Sequence, residues 1–552
     1  MIKSDLYLIL IELAFSIGLY FLADYADKVK STKWKLLYVV PLIVCMAFIA
    51  FTGEEISLLS VYIAVIVLLI GFSREEAKMR RLASAIAVLL IIPSILVCNL
   101  YKGYRAPNYL QEFKEGFDAM QEHYCLAEHK GIDWDALYEE YEPQFKEVEK
   151  KHDAVENYIL WTKFCCNFHD GHVAYSLNDR DVLEKAHEIM YGNDYGLSLM
   201  TRSDGKTVAV NVEKDSDIYN AGIRNGTVIT EWDGRNVEAV INDVEIGYYD
   251  GMPYNPVKET EDFYRAVFAA GAGGDSVTIK FIGEDGTEHS VSAEKLGAYA
   301  DRLERTMSIL ADGIKADNVT WHELSDDTCI LRLTLMMYDT NSSTTGNFSA
   351  MKEEVRENML AFQEKGIKNI IIDLRNNGGG DPNFILAIAE LLAPEGEHQY
   401  AYDSVWDEKE KCYQYDEATG RYVPGNEIAY EGESVWGDGQ IVILVSAGTV
   451  SAGDHFADIM SIYDNVTIMG FTSSNCSGQA IKGVTFEKGA LQFSSVPTLR
   501  EDGTIYIDTD ASRQATIPLD VKVPFDEKAV ASMFEAGEDY LMEYAREYIE
   551  GQ

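Results

Sequence analysis

Asn369-Ile370-Ile371-Ile372-Asp373-Leu374-Arg375-Asn376-Asn377-Gly378-Gly379-Gly380 is the stretch that decides the architecture. The β-branched run Ile370–Ile372 predicts a strand buried on both faces, as in a parallel sheet. Three consecutive glycines after such a strand let the backbone turn sharply and leave N–H groups facing a ligand. A loop of this kind suits a phosphate or a developing oxyanion, and the rest of the chain has to choose between them.

Around this stretch, residues 318–530 alternate strands and helices. Strands are expected at Cys329–Leu335, Lys368–Leu374, Gln440–Val445 and Val466–Met469, with helices at Ser349–Lys365 and Ala452–Tyr463. The pattern implies an α/β domain with a mainly parallel core, in which ligands bind at the carboxyl ends of strands. The glycine loop and the segment after Val445 both fall at such ends. That segment reads Ser446-Ala447-Gly448-Thr449-Val450-Ser451-Ala452-Gly453-Asp454-His455. Serine is a good helix N-cap, so Ser451 alone signals only a helix start. A strand-end glycine loop, a strand-end serine and the separate element Asp170-Gly171-His172 together make an acyl-transfer set. A P-loop is not indicated, because the glycines lack the Lys-Ser/Thr ending.

At 552 residues the chain is too long for one core, so several domains are expected. Its net charge of −43 is uneven: residues 1–105 hold 11 basic and 8 acidic residues, the remainder 36 and 82. An acidic surface of that size argues against a nucleic-acid partner. The 8 cysteines show no repeated Cys-x-x-Cys, so neither a zinc site nor a disulfide framework is indicated. Four apolar runs, near Leu6–Ala23, Leu36–Phe51, Ile56–Phe72 and Leu82–Leu100, predict a four-helix transmembrane region over residues 1–105. The Lys- and Arg-bearing connections after the first and third runs would face the cytoplasm. A multi-pass protein of the cell membrane with its remaining domains extracytoplasmic is the resulting expectation.

Residues 106–190 read as a helical segment ending in the Asp-Gly-His element, with Asp133 or Asp135 as a helix cap. Residues 191–300 change to short strands with Ala221-Gly222-Ile223 and Asp233-Gly234 turns, and they resemble a PDZ domain. In that resemblance Tyr195, Gly196 and Leu197 form the loop that captures a peptide's terminal carboxylate. An insertion around Glu238–Thr260 departs from the compact pattern. Residues 301–530 form the α/β core and 531–552 a C-terminal helix.

Across residues 106–530 the chain resembles the C-terminal-processing (tail-specific) serine peptidases and their tricorn-type relatives. Asp373–Gly380 matches that family's Asp-Leu-Arg-Asn-Asn-x-Gly-Gly motif, and Ser451-Ala452-Gly453-Asp454 its Ser-Ala-Ser-Glu nucleophile motif. The resemblance implies a ClpP/crotonase-like core and hydrolysis of polypeptides, held by their C-termini, without metal or cofactor. It implies Ser451 as nucleophile, and an oxyanion hole from the N–H groups of Ala452 and Gly379. One departure concerns the base. Where the Ser-Lys branch carries its lysine this chain has Cys476, and Lys482 is the nearest lysine beyond it. A cysteine replaces a neutral lysine base poorly. The tricorn-type branch uses a histidine ahead of the PDZ insertion, and His172 matches it. His169 and His455 compete for that role. Asp454 is the expected third member, with Asp508, Asp510 and Asp520 as alternatives. An inactive, peptide-binding pseudopeptidase of the same fold is the competing expectation.

Overall fold

The computed structural model describes Lys28 and residues 108–244, 256–311 and 319–552. The run that opens the glycine motif is a strand, Asn369–Asp373, inside a six-stranded sheet. In order, the sheet holds Val319–Glu323, Thr328–Leu333, Asn369–Asp373, Ile441–Leu444, Val466–Gly470 and Val521–Lys522. The first pair is antiparallel and the rest parallel. Apolar residues run continuously because both faces are covered. Ile370, Ile372 and Ile443 point into a cluster with the helices Ser349–Glu364, Pro382–Leu392 and Ala452–Ser461. Ile371, Val442 and Leu444 point into another, shared with the helix Tyr540–Glu550 and the strands of residues 191–300.

Register then places the loops. Asp373 pairs with Leu444, so the two central strands end level and the loops that follow them lie side by side. Thr449 Oγ1 donates to Leu374 O at 2.8 Å and Val450 N–H to Asn377 O at 2.9 Å. Beneath them Asp373 and Arg375, both nearly inaccessible, form a buried ion cluster. Arg375 donates to both oxygens of Asp373 at 2.9 Å and to both oxygens of Asp539 at 2.7 Å. Arg332 adds a further bond to Asp373 at 2.9 Å. The Asp-Leu-Arg half of the motif is thus structural: it fastens the glycine loop to the start of the C-terminal helix.

The helical segment comprises Tyr109–His123, Ala127–Lys130, Trp134–Lys151, Ala154–Cys166 and Arg180–Tyr191. Asp133 caps the third of these, accepting from Ala136 N–H at 3.0 Å. Phe113, Phe117, Phe145, Trp161, Phe164 and Phe168 pack as an aromatic core that also takes in Tyr175, Leu491 and Phe493. Residues 191–300 form a β-rich unit. A hairpin of Ser198–Thr201 and Thr207–Val210 stands beside a four-stranded sheet, with the helices Val237–Asn242 and Lys258–Ala269. An antiparallel arm, Gly396–Ser404 with Pro424–Gly432, projects from the core between the helix Pro382–Leu392 and the strand Ile441–Leu444.

The expected four-helix transmembrane region and multi-pass membrane location are corrected here. No helix among the described residues is long and apolar enough to cross a membrane. The four apolar runs of residues 1–105 lie outside the described residues, apart from Lys28, as does part of the Glu238–Thr260 insertion. What stands is an α/β core with a helical segment and a β-rich unit around it.

Burial alone would raise the Asp373 carboxyl, but Arg375 and Arg332 outweigh it and hold it at about 2. The cluster's stabilisation is therefore present above the unfolded carboxyl value of 3.8 and lost as pH falls through about 2. Arg375→Leu strands two carboxylates and is expected to cost about 3–5 kcal/mol in a urea titration at neutral pH. An unchanged midpoint would remove the cluster from its structural role.

Candidate active site

Ser451 stands between the strand Ile441–Leu444 and the helix Ala452–Ser461, with φ +59° and ψ −120°. Positive φ is costly for a serine and persists only where the surroundings impose it. Here they do. Ser451 N–H donates to Ser477 O at 3.0 Å and to Asp454 Oδ2 at 3.0 Å. Gly379 lies directly against the serine: a Cβ added there would meet Ser451 Cβ at 2.6 Å and Val450 O at 2.9 Å, with φ already +90°. At Gly378 an added Cβ would meet nothing within 4 Å. That agrees with its being the variable position of the motif.

Asn377, fully buried, stretches its side chain from Leu333 O, at 2.8 Å, to the Gly379 N–H, at 2.9 Å. The expected donor at Gly379 is therefore already engaged. The N–H groups of Gly378, Gly380 and Ala452 have no hydrogen-bond partner among the described residues.

Asp454 is fully buried, and its carboxylate is a backbone clamp. It accepts N–H bonds from Ser451, from Cys476 at 2.8 Å and from Ser477 at 3.1 Å. Burial pushes it up to about 6 against these bonds. No bond joins it to either His172 or His455.

Ser477 is the junction that the sequence did not reveal. Its N–H goes to Asp454, its carbonyl accepts from Ser451 N–H, and its Oγ accepts from Gly171 N–H at 2.9 Å. Thus one residue ties the Asp-Gly-His element to the serine. The tie is supported by a three-stranded sheet ordered Ala174–Leu177, Gly489–Val496, Ala480–Thr485. The strand just after His172 pairs with the hairpin that begins just after Gln479. Gly171 has to be glycine here, since a Cβ would meet Asn475 Oδ1 at 2.1 Å.

His172 is buried with Nδ1 lacking a hydrogen-bond partner. Burial lowers its pKa below the ordinary 6.5, while Asp170 and the Gln479 backbone oppose the shift. Its N–H donates to Asp170 Oδ1 at 2.9 Å. The His172 ring and Ser451 Oγ are not hydrogen-bonded to each other. His455 is spoken for: Nε2 donates to Gly478 O at 2.7 Å, so Nδ1 is the acceptor for the Tyr400 hydroxyl from the arm. Burial lowers His455 to about 4. His169 is also lowered to about 4, first by burial and then by Arg513.

Asp508 receives Gly478 N–H at 3.0 Å and Gln479 Nε2 at 2.9 Å, and its other oxygen lies 3.9 Å from Lys130 Nζ. Burial pushes it well above the carboxylate range, with Lys130 opposing. Asp510 caps a turn at Ser512, and Asp520 accepts from Ile468 N–H at 2.8 Å, away from the serine. Cys476, at the position of the family lysine, is buried with its thiol raised to about 11, by burial and then by Asp454. A thiol in that state holds its proton. Lys482 lies exposed on the strand Ala480–Thr485.

Tyr195, Gly196 and Leu197 are all buried. Gly196 N–H donates to Asp194 Oδ1 at 2.7 Å, and Arg302 Nε donates to the same oxygen at 2.6 Å. The amide expected to hold a peptide carboxylate is occupied by the chain's own.

Residues 327–510 match Peptidase family S41, and residues 106–156 match the tricorn protease C1 domain. Among solved structures, mature CPAF aligns with a TM-score of 0.52 at 14% identity, covering 81% of this chain and 98% of that one. Mature CPAF complexed with lactacystin aligns at 0.50 and 15% identity, covering 81% and 99%. No curated protein matches the chain. At such identities the structural likeness speaks for the fold.

Gly171→Ala is expected to drive the Asp-Gly-His element off Asn475 and Ser477. Turnover of a protein substrate should fall about 100-fold, the scale on which a displaced active-site group acts, while circular dichroism stays that of wild type. Wild-type turnover in Gly171→Ala would mean that this contact does not position the site.

Proposed function

We propose that this serine-type peptidase of family S41 cleaves polypeptides with Ser451 as nucleophile and His172 as general base. The single observation that carries the assignment is the Ser477 junction, whose Oγ and carbonyl hold Gly171 and Ser451 at once. A buried imidazole with an unpartnered nitrogen, depressed below 6.5, is neutral at pH 7 and ready to take the Ser451 proton. Attack on a peptide carbonyl then generates an oxyanion beside the 378–380 loop. Ala452 N–H and a glycine amide of that loop would receive it. Gly379 serves if its bond to Asn377 yields as the oxyanion forms. His172 returns the proton to the leaving amine, and water repeats the cycle on the acyl-enzyme.

In this reading Asp454 acts as a positioning residue, holding the serine's turn rather than the histidine. Asp170 and Asp508 are the carboxyl groups on the histidine side. Asp170 supports the charged form of His172, and Asp508 anchors the Gly478–Gln479 segment that its ring faces. The β-rich unit, read as PDZ-like, would present substrate C-termini, with Asp194 leaving Gly196 N–H as the substrate carboxylate arrives.

A fluorophosphonate probe is expected to label Ser451, and Ser451→Ala should abolish both labelling and casein hydrolysis. His172→Ala should abolish turnover with the fold intact, whereas Lys482→Ala should leave it within about twofold, as for the loss of an exposed side chain. The acid limb of kcat/KM should lie below pH 6.5, because activity requires the neutral imidazole and burial lowers its pKa. Absence of labelling and of hydrolysis in the wild-type chain would favour the pseudopeptidase. Loss of activity in Lys482→Ala would transfer the base to that lysine.

A further inference from the structure

His455 stands one turn after Ser451 on the helix Ala452–Ser461, and its side chain takes no part in the chemistry described above. It is buried, and its two ring nitrogens bond to different parts of the chain. Nε2 lies 2.7 Å from Gly478 O, so it carries the proton and donates. Nδ1 is then bare and accepts from the Tyr400 hydroxyl, on the arm strand Gly396–Ser404. The Tyr400 ring stands edge-on to the imidazole, with centroids 5.5 Å apart at 83°, and edge-on to Tyr506, at 5.4 Å and 76°. Tyr506 in turn donates to Asp458 Oδ2, on the same helix as His455. A buried neutral ring with both nitrogens satisfied is fixed in tautomer and in orientation.

What that ring holds is the backbone beside His172. Gly478 is gripped on both sides. Its N–H is shared between Asp508 Oδ2 at 3.0 Å and Ile507 O at 3.1 Å, while its carbonyl accepts from His455 Nε2. No side chain fits there: a Cβ would meet His455 Nε2 at 2.9 Å and Ile507 Cβ at 3.0 Å. The next residue, Gln479, turns its backbone to the His172 ring and favours the charged imidazole. A backbone group that favours an imidazolium is an acceptor, so the contact is made by the Gln479 carbonyl. The titratable groups facing His172 are Asp170, from its own element, and His455, which lies near enough for each ring to disfavour charge on the other.

We propose that His455 is a positioning residue for the general base: its Nε2–H, aimed by the Tyr400 hydroxyl, anchors the Gly478 carbonyl and so sets the Gln479 carbonyl against the His172 ring. The inference rests on the reading of His172 as general base. It gives the arm a part in turnover, since the hydroxyl that orders His455 comes from it. The effect belongs to kcat, because the imidazolium that the Gln479 carbonyl supports forms only as His172 takes the Ser451 proton. Substrate binding precedes that step and does not draw on the relay.

His455→Leu fills the space without donating. Its kcat for unfolded β-casein is expected to fall about tenfold, the rate equivalent of one hydrogen bond, with KM unchanged. The acid limb of kcat/KM should move to lower pH, because a His172 ring that loses an acceptor for its charged form has a lower pKa. His455→Gln, whose amide can donate to Gly478 O from nearly the same place, should restore the limb and most of kcat. Tyr400→Phe keeps both ring contacts and loses only the hydroxyl, so it should move the limb the same way and lower kcat about threefold. A wild-type kcat in His455→Leu would overturn the inference, as would a lowered kcat with an unmoved limb, the mark of a merely structural role. Where His455→Leu loses its native circular dichroism, Tyr400→Phe decides by the same two readings. Wild-type turnover in His172→Ala would overturn the base itself. The anchoring is then read without activity, from hydrogen exchange at the Gly478 amide: faster exchange in His455→Leu leaves it standing, and unchanged exchange overturns it.

Discussion

A single buried carboxylate organises the site. Asp454 gathers three N–H groups from two segments, at Ser451, Cys476 and Ser477, and it does so with no exposure to solvent. A buried carboxylate is tolerable only when its lone pairs are satisfied, and here three main-chain N–H groups and the Ser474 side chain satisfy it. The cost of burial, visible in a carboxyl raised to about 6, is offset by fixing two loops at once. Removing it would release the serine's positive-φ turn and the Ser477 junction together. Everything catalytic about the arrangement depends on that clamp, although the clamp touches no histidine.

Two further constraints set the frame around it. The Asp373–Arg375–Asp539 cluster fastens the glycine loop from below, and the three-stranded sheet brings in the Asp-Gly-His element from the side. Neither constraint involves reacting groups. They illustrate a division of labour seen in the motif itself. Asp373 and Arg375 serve rigidity, Asn377 holds the loop against the core, and Gly379 supplies the close approach to Ser451. The chain is a serine-type peptidase whose motif residues are mostly scaffold.

Cys476, at the position where the Ser-Lys peptidases carry a lysine, has a physical reading in this frame. The residue is fully buried with φ +57°, its N–H committed to Asp454 and its thiol raised by burial. A thiol that keeps its proton adds no second buried charge beside Asp454. His455 has both of its ring nitrogens bonded, one to Gly478 and one to the arm's Tyr400.

The α/β core, the strand ends bearing the glycines and Ser451, and the candidacy of His172 were legible from the residues alone. Each is a local signal: a β-branched run buried on both faces, a glycine triplet, a serine at a helix start, a short histidine element. The membrane expectation was read from the same kind of local pattern, and no helix among the described residues carries it. What only the tertiary structure decided is pairing. Ser477 and Asn475 gave no signal, because a lone hydroxyl, a main-chain carbonyl and a steric contact gain meaning only once the fold brings Gly171 and Ser451 beside them. The arm bearing Tyr400 left no strong apolar signal, since few residues of its strands are buried. Asp454 accepts main-chain N–H groups and Asp194 takes the Gly196 N–H, because a carboxylate bonds whichever donors the fold brings within reach. The sequence determines which chemistry is available, and long-range strand pairing determines which groups meet to perform it.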